Sequence, residues 1–315
     1  MNYSIVAFGE ALWDLLPTGA ELGGATLNFA YRAASLGNRG VTISRLGQDE
    51  LGRSAHDRMA SLGMQTDYLQ WDLTHPTGTV KVSLDEHKNP DFTIIENTAY
   101  DYIEMTNELS DLVGEADCLC FGTLAQRSFR SRSTLDRLLE CFVGKYRFLD
   151  VNLRKNCYTE QTVKASIARS DILKMNETEA PEINAMFAIT EPALPAATAA
   201  LVEDTGVAYC VVTLGAKGAF AASKDGEMIY LPTYPVDIVD TCGSGDGFSA
   251  GFVDSILRGK SLSEACRRGN ALGALVARQK GATEPVSVAA IERQIAGGSP
   301  GPIESQLEEY NVWDR

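Results

Sequence analysis

Short apolar runs alternate with helix-period segments along most of the chain. The runs Ser4–Phe8, Val41–Leu46, Asp117–Gly122, Tyr146–Val151, Asp171–Met175 and Ala208–Leu214 read as buried strands, being nearly continuous in apolar residues over strand length. Between them the spacing predicts helices at Leu27–Leu36, Gly52–Leu62, Ser131–Val143 and Thr159–Ala168. Strand–helix alternation with continuously apolar strands is the signature of an α/β protein with a parallel sheet covered on both faces. The C-terminal third turns helical. There Phe248, Phe252 and Ile256 recur at i, i+4, i+8, and Leu262, Ala265, Cys266, Leu272 and Val276 share a face of a following helix.

One interval breaks that rhythm. From Thr66 to Asn97 the pattern is strand-like, with Val80, Val82 and Leu84 alternating with Thr79, Lys81 and Ser83. Asp85–Pro90 reads as a turn before a second extended run at Phe92–Ile95. This predicts a small β-sheet projecting from the main body as a lid, formed by roughly 10–20 and 66–97, with Asp14 in the earlier segment. The competing reading is a plain hairpin insertion. No repeat, low-complexity tract or inter-domain linker is visible, so residues 1–315 read as a single domain.

Composition narrows the classes. The chain has 315 residues, 44% hydrophobic and 22% charged, as a globular protein has. A net charge of −14 argues against a nucleic-acid surface, which needs Lys and Arg for phosphates. No apolar run reaches membrane-spanning length, and Glu10 and Asp14 interrupt the N-terminal stretch where a signal peptide would be apolar. Seven scattered cysteines without a C-x-x-C pair, and three histidines outside ligand spacing, speak for reduced cytoplasmic thiols rather than disulfides or zinc.

The chemistry concentrates at Val239–Phe252, VDTCGSGDGFSAGF. A loop ending in Gly243-Ser244-Gly245 runs straight into an amphipathic helix, whose free first-turn N–H groups and macrodipole form an anion hole. Asp246 in that first turn sets a carboxylate beside a phosphate site, the arrangement that hydroxyl phosphorylation by a general base requires. The competing reading is that Asp246 only complements the helix dipole. Neither a P-loop nor a protein-kinase signature is present.

The D-T-x-G-x-G-D run at Asp240–Asp246 resembles the second signature of the PfkB (ribokinase-like) family of carbohydrate kinases. GGATLNFAYRAASLG at Gly23–Gly37 and SRLGQDELG at Ser44–Gly52 resemble its first. LDVNLR at Leu149–Arg154, MNETE at Met175–Glu179 and TLGAKG at Thr213–Gly218 follow in the family's order. The resemblance implies a three-layer αβα ribokinase-like fold, a mostly parallel central sheet and a small β-sheet lid.

It also implies roles. Asp246 would be the base, with the N–H groups of Gly243, Ser244 and Gly245 as anion hole and Arg154 near the transferring phosphate. Asp14, Gly24 and Asn28 would bind sugar hydroxyls. Asn176 and Glu179, three apart on one face of a helix's first turn, would organise Mg²⁺ and its waters. Thr213, Gly215, Lys217, Gly218 and Asn270 would line the ATP pocket. Asp240 and the Cys242 carbonyl resemble a monovalent-cation site, which leaves K⁺ open beside Mg²⁺. Bland readings compete: helix capping for Asn176 and Glu179, a tight turn for Gly215 and Gly218, an ion pair with Asp150 for Arg154. Ala25-Thr26-Leu27, Gln48, Ser244 and Gly247 depart from the family's usual residues without removing a reacting group.

Phe8–Pro17 (FGEALWDLLP), His75–Val80 and Thr98–Ile103 resemble the fructokinase branch, which implies fructose as acceptor and fructose 6-phosphate as product. A 2-keto-3-deoxygluconate kinase or another PfkB sugar or nucleoside kinase is the alternative. A sugar-sensing protein on the same fold is the non-enzymatic one. The partners implied are ATP and a small sugar, with no nucleic acid and no membrane, and a homodimer through the lid is open.

Overall fold

The computed structural model describes residues 2–16, 19–84 and 90–314. In chain order the first elements are β1 (Ser4–Phe8), β2 (Leu12–Leu16), β3 (Gly19–Gly23), α1 (Ala25–Ser35), β4 (Arg39–Gly47) and α2 (Glu50–Ser61). There follow β5 (Leu69–Asp72), β6 (Gly78–Leu84), β7 (Pro90–Ile94), α3 (Asn107–Gly114), β8 (Cys118–Phe121), α4 (Phe129–Cys141) and β9 (Tyr146–Asp150). Then come α5 (Glu160–Ala168), β10 (Ile172–Asn176), α6 (Ala180–Met186), α7 (Leu194–Thr205) and β11 (Tyr209–Thr213). The chain closes with β12 (Ala219–Ser223), β13 (Met228–Leu231), α8 (Ser244–Leu257), α9 (Leu262–Ala277) and α10 (Val288–Gly297).

Nine strands form the large sheet in the order β13-β12-β11-β10-β9-β8-β1-β4-β5. It is parallel except for β12 and β13, which extend one edge as an antiparallel hairpin. All six expected strands lie in it. The hairpin was not expected, because Ala219–Ser223 is buried at every position and shows no period to read. Alternate residues of each strand feed separate cores, which makes the fold three-layered. Ile5, Ala7, Cys118 and Cys120 pack with α1, α8 and α9 on one face. Val6, Phe8, Leu119 and Phe121 pack with α3, α4 and α5 on the other.

The chain runs from β1 to β4 and β5 in one direction, then returns to β8 and continues in the other. Strands β1 and β8 are therefore the switch point, where the connections diverge and leave a crevice at the strands' C-terminal ends.

A second sheet, β3-β2-β6-β7, stands apart from the first. It contains the expected segments around Asp14 and Thr79–Leu84, and also Gly19–Gly23, which loops back onto β2. Leu69–Asp72, expected in the lid, instead pairs with β4 as the last strand of the large sheet. The turn expected at 85–90 falls largely outside the described residues. Two aspartates fix the passage between sheets. Asp72 accepts the N–H groups of Thr74 and His75, and Asp49, the N-cap of α2, also accepts the N–H and hydroxyl of Thr77.

Helix α1 lies close on the sheet where Gly40 crosses it: a methyl there would sit 2.1 Å from the Ala30 carbonyl oxygen. Because that obstacle is backbone, Gly40→Ala should cost about 3 kcal/mol by overpacking. The thermal midpoint should fall by several degrees; an unchanged midpoint would mean that α1 can retreat freely.

Candidate active site

A cleft of about 850 Å³ opens at the C-terminal ends of the parallel strands, between the large sheet, the lid and the N-terminus of α8. At its floor Gly243 adopts a left-handed backbone (φ 74°), which turns the chain into α8 and is accessible to glycine at little cost. Of the three N–H groups expected in the anion hole, that of Ser244 donates instead to the Thr241 carbonyl (3.2 Å). Those of Gly243 and Gly245 have no acceptor among the described residues.

Asp246 follows in the first turn of α8, and its Oδ2 accepts Nδ2–H of Asn28 (2.8 Å). Burial, reinforced by the charge of Asp150, pushes the Asp246 carboxyl up to about 7; the Asn28 hydrogen bond, Lys174 and Arg154 work against the rise. Asn28 is buried on α1, and its Oδ1 has no partner among the described residues. An orphaned acceptor at the edge of a cleft suits a ligand hydroxyl. Gly24, at the N-cap of α1 (φ 117°), lies where a methyl would meet the Glu10 carbonyl oxygen at 2.3 Å. Asp14 reaches the same end of the cleft from β2, with burial pushing it up to about 6 against the pull of Arg154. Arg154 is exposed on the cleft wall. It forms no pair with Asp150, whose carboxylate accepts instead from Lys174 Nζ (3.0 Å to each oxygen) and Ser249 Oγ (3.1 Å).

Asn176 ends β10 and Glu179 caps α6, so they sit across a turn rather than within a helix's first turn. Asn176 Oδ1 accepts the N–H groups of Thr178 and Glu179, while the Glu179 carboxylate accepts those of Leu153 and Asn176. Glu179 thus holds the N-cap position of α6 without a side-chain capping bond, its carboxylate being turned back to the chain ahead of the helix. Burial, then Asp150, raises the Glu179 carboxyl above its ordinary value. Asp150, Glu179 and Asp246 all act on one ammonium, Lys174. Among the described residues no cluster of three or more His, Cys, Asp or Glu side chains could hold a metal ion.

Further along, Thr213, Gly215, Gly218 and Asn270 line the cleft, joined by Tyr234 and Pro302. Asn270 is buried and donates to the Leu231 carbonyl (3.1 Å). The Lys217 side chain lies outside the lining and faces Glu177 (3.3 Å). Asp240 accepts N–H groups from both Cys242 (2.9 Å) and Gly281 (3.0 Å), clamping two loops beside the anion hole. Cys242 is the exposed one of the seven cysteines. Burial of its sulfur, then the charges of Asp14, Asp246 and Asp240, pushes the thiol up to about 12.

The sequence profile of the pfkB family carbohydrate kinases matches residues 18–289. The chain belongs to that family. Among the relatives of this PfkB kinase, a fructokinase of Klebsiella pneumoniae is 30% identical, over 80% of this chain and 84% of its own. A ribokinase of Haemophilus influenzae is 27% identical, over 84% and 83%. A solved fructokinase double mutant of Vibrio cholerae, with fructose, ADP and potassium ion bound, is 25% identical and matches with a TM-score of 0.79, covering 92% of this chain and 98% of that one. The fold is ribokinase-like, as expected, with its small second sheet. Among the described residues no helix is long and apolar enough to cross a membrane.

Three residues of this PfkB kinase's site escaped the sequence reading. Lys174 stands directly opposite Asp150 in the β9–β10 register; a lysine inside the apolar run Ile172–Met175 was the available signal. Glu10, buried at the end of β1, accepts the first N–H of α1 (Ala25, 3.0 Å). Asn152 lines the cleft in a left-handed conformation (φ 44°) that no local pattern announces.

A base must be ionised to accept a proton, and Asp246 is ionised only above about 7. The kcat/KM profile should therefore fall about tenfold per unit as pH drops below that value. A flat profile from pH 5.5 to 8 would remove Asp246 from the base role. Stability should run the other way. With a raised folded-state value, the proton on Asp246 stabilises the fold at low pH, and this is lost between about pH 4 and 7. Asp246→Asn should therefore melt higher than the parent at pH 8, with the gap closing toward pH 4. A gap independent of pH would contradict the burial argument.

Proposed function

We propose that the chain is a fructokinase, transferring the γ-phosphoryl of ATP to the 6-hydroxyl of D-fructose. The observation that carries the kinase mechanism is the placement of Asp246: hydrogen-bonded to Asn28 on the sugar side, and one residue from the open N–H of Gly245 on the phosphate side. In this reading Asn28 Oδ1, Asp14 and the backbone at Gly24 hold the sugar hydroxyls, and Asp246 takes the proton of the attacking one. The N–H groups of Gly243 and Gly245 receive the charge that develops on the transferred group, with Arg154 beside them. Thr213, Gly215, Gly218 and Asn270 would hold the nucleotide. Asn176 and Glu179 would hold the waters of Mg²⁺, which supplies charge neutralisation to the phosphates. Asp240 and the Cys242 carbonyl would flank K⁺, by analogy with the potassium-bound relative. Residues 1–315 act as one domain, the four-stranded sheet being a lid over the sugar and a surface for a second copy. The cytoplasm, where ATP is abundant, is the compartment that suits it.

Support for fructose comes from the Klebsiella and Vibrio fructokinases. One observation favours a second acceptor. Arg154 is an exposed cation without a hydrogen bond or ion pair among the described residues, and its fork would suit a carboxylate such as that of 2-keto-3-deoxygluconate.

ADP release with Mg-ATP, measured across fructose, 2-keto-3-deoxygluconate, ribose, glucose and adenosine, separates these readings. The expected outcome is turnover selective for fructose, reduced about a thousandfold in Asp246→Asn. Selectivity for the keto-acid would move the assignment to the second acceptor. Silence with every sugar, from folded protein that still binds one, would favour a sensor.

A further inference from the structure

Lys174 is nine-tenths buried, yet the expected machinery leaves it without a task. Register alone sets it opposite Asp150, and two of its three N–H donors go to that carboxylate. The ammonium lies directly beneath the anion-hole turn, since a methyl on Gly245 would be 3.4 Å from Nζ. Asp150 in turn accepts from Ser249, one turn further along α8 than Asp246. A chain of contacts thus runs from β10 through β9 to the helix that carries the base. A buried ion pair of this kind adds little net stability against an apolar pair, which points to a use other than stability.

We propose that Lys174 is a positioning residue for phosphoryl transfer: clamped by Asp150 beneath the Gly243–Asp246 turn, its ammonium is the cation that lets Asp246 work as a base. The proposal rests on the reading of Asp246 as base, and deepens it. Around Asp246 the charges are Asp150 from β9, Lys174 from β10, Arg154 from the loop after β9 and Arg32 from α1, with the thiols of Cys120 and Cys242 also facing it. Among these, Arg154 is solvated and Arg32 is committed to the Ala282 and Glu284 carbonyls. Lys174 is left as the buried cation opposing Asp150.

The test compares the acid limb of kcat/KM against pH in the full-length enzyme for Lys174→Met, Asp150→Asn and the double variant, with Asp246→Asn as control. Lys174→Met should move the limb up by about one unit, and Asp150→Asn should move it down by a similar amount. The double variant, a neutral pair, should return near the parent. Should Lys174→Met fail to fold, the downward shift in Asp150→Asn and the return in the double variant carry the test. A merely structural pair would lower the thermal midpoint and leave every limb where it was. Unmoved limbs alongside an inactive Asp246→Asn would overturn the role of Lys174 alone. Retained turnover in Asp246→Asn would instead remove the base assignment, and the proposal with it.

Discussion

The hydrogen bond from Asn28 to Asp246 joins residues 218 positions apart, and the two halves of the site depend on it. It sets α1 against the first turn of α8, so that the groups proposed to face the sugar and those proposed to face phosphate share one frame. The same helix face continues one turn on with Arg32, fully buried, which donates to the Ala282 and Glu284 carbonyls. The loop after α9 is thereby tied to α1, and Gly243 packs against Ala282 of that loop. Helix α9 closes on α8 through small residues, with Gly273 against the Ser244 carbonyl and Gly269 against Phe248. The floor of the cleft is thus held by close backbone contact, which is stiffer than contact through long side chains.

Against that rigid frame the electrostatics are deliberately unfavourable. Glu10, Asp14, Glu179 and Asp246 are all held above ordinary carboxylate values by burial. Glu10 and Glu179 follow the ends of β1 and β10 at the C-terminal edge of the parallel sheet, while Asp14 comes from β2 of the second sheet and Asp246 from the first turn of α8. A fold selected for stability alone would not collect acids there; sites that violate local rules in this way are where function resides.

Much of the frame was legible in the sequence. Continuous apolar runs gave the six parallel strands, and a change to strict alternation marked the second sheet. The glycine-rich start of α8 could be read as a candidate anion hole because its chemistry is local: a loop, a helix start and an acid within seven residues. What stayed hidden depends on register or distant packing. Lys174 and Asp150 are 24 residues apart and meet only when β9 and β10 align. Leu69–Asp72 has the look of a lid strand, yet pairs with β4, because partner choice is a tertiary decision that periodicity does not encode. The Ser244 N–H was assigned to the anion hole from position alone, and the turn at Thr241 claims it instead.

Cys242 carries a last consequence of this crowded negative potential. Thiols react with oxidants and electrophiles as thiolates, and a thiol at about 12 has only about one part in 10⁵ ionised at neutral pH. Burial of the sulfur and, after it, the acids that line the cleft thus hold Cys242 in its less reactive, protonated form.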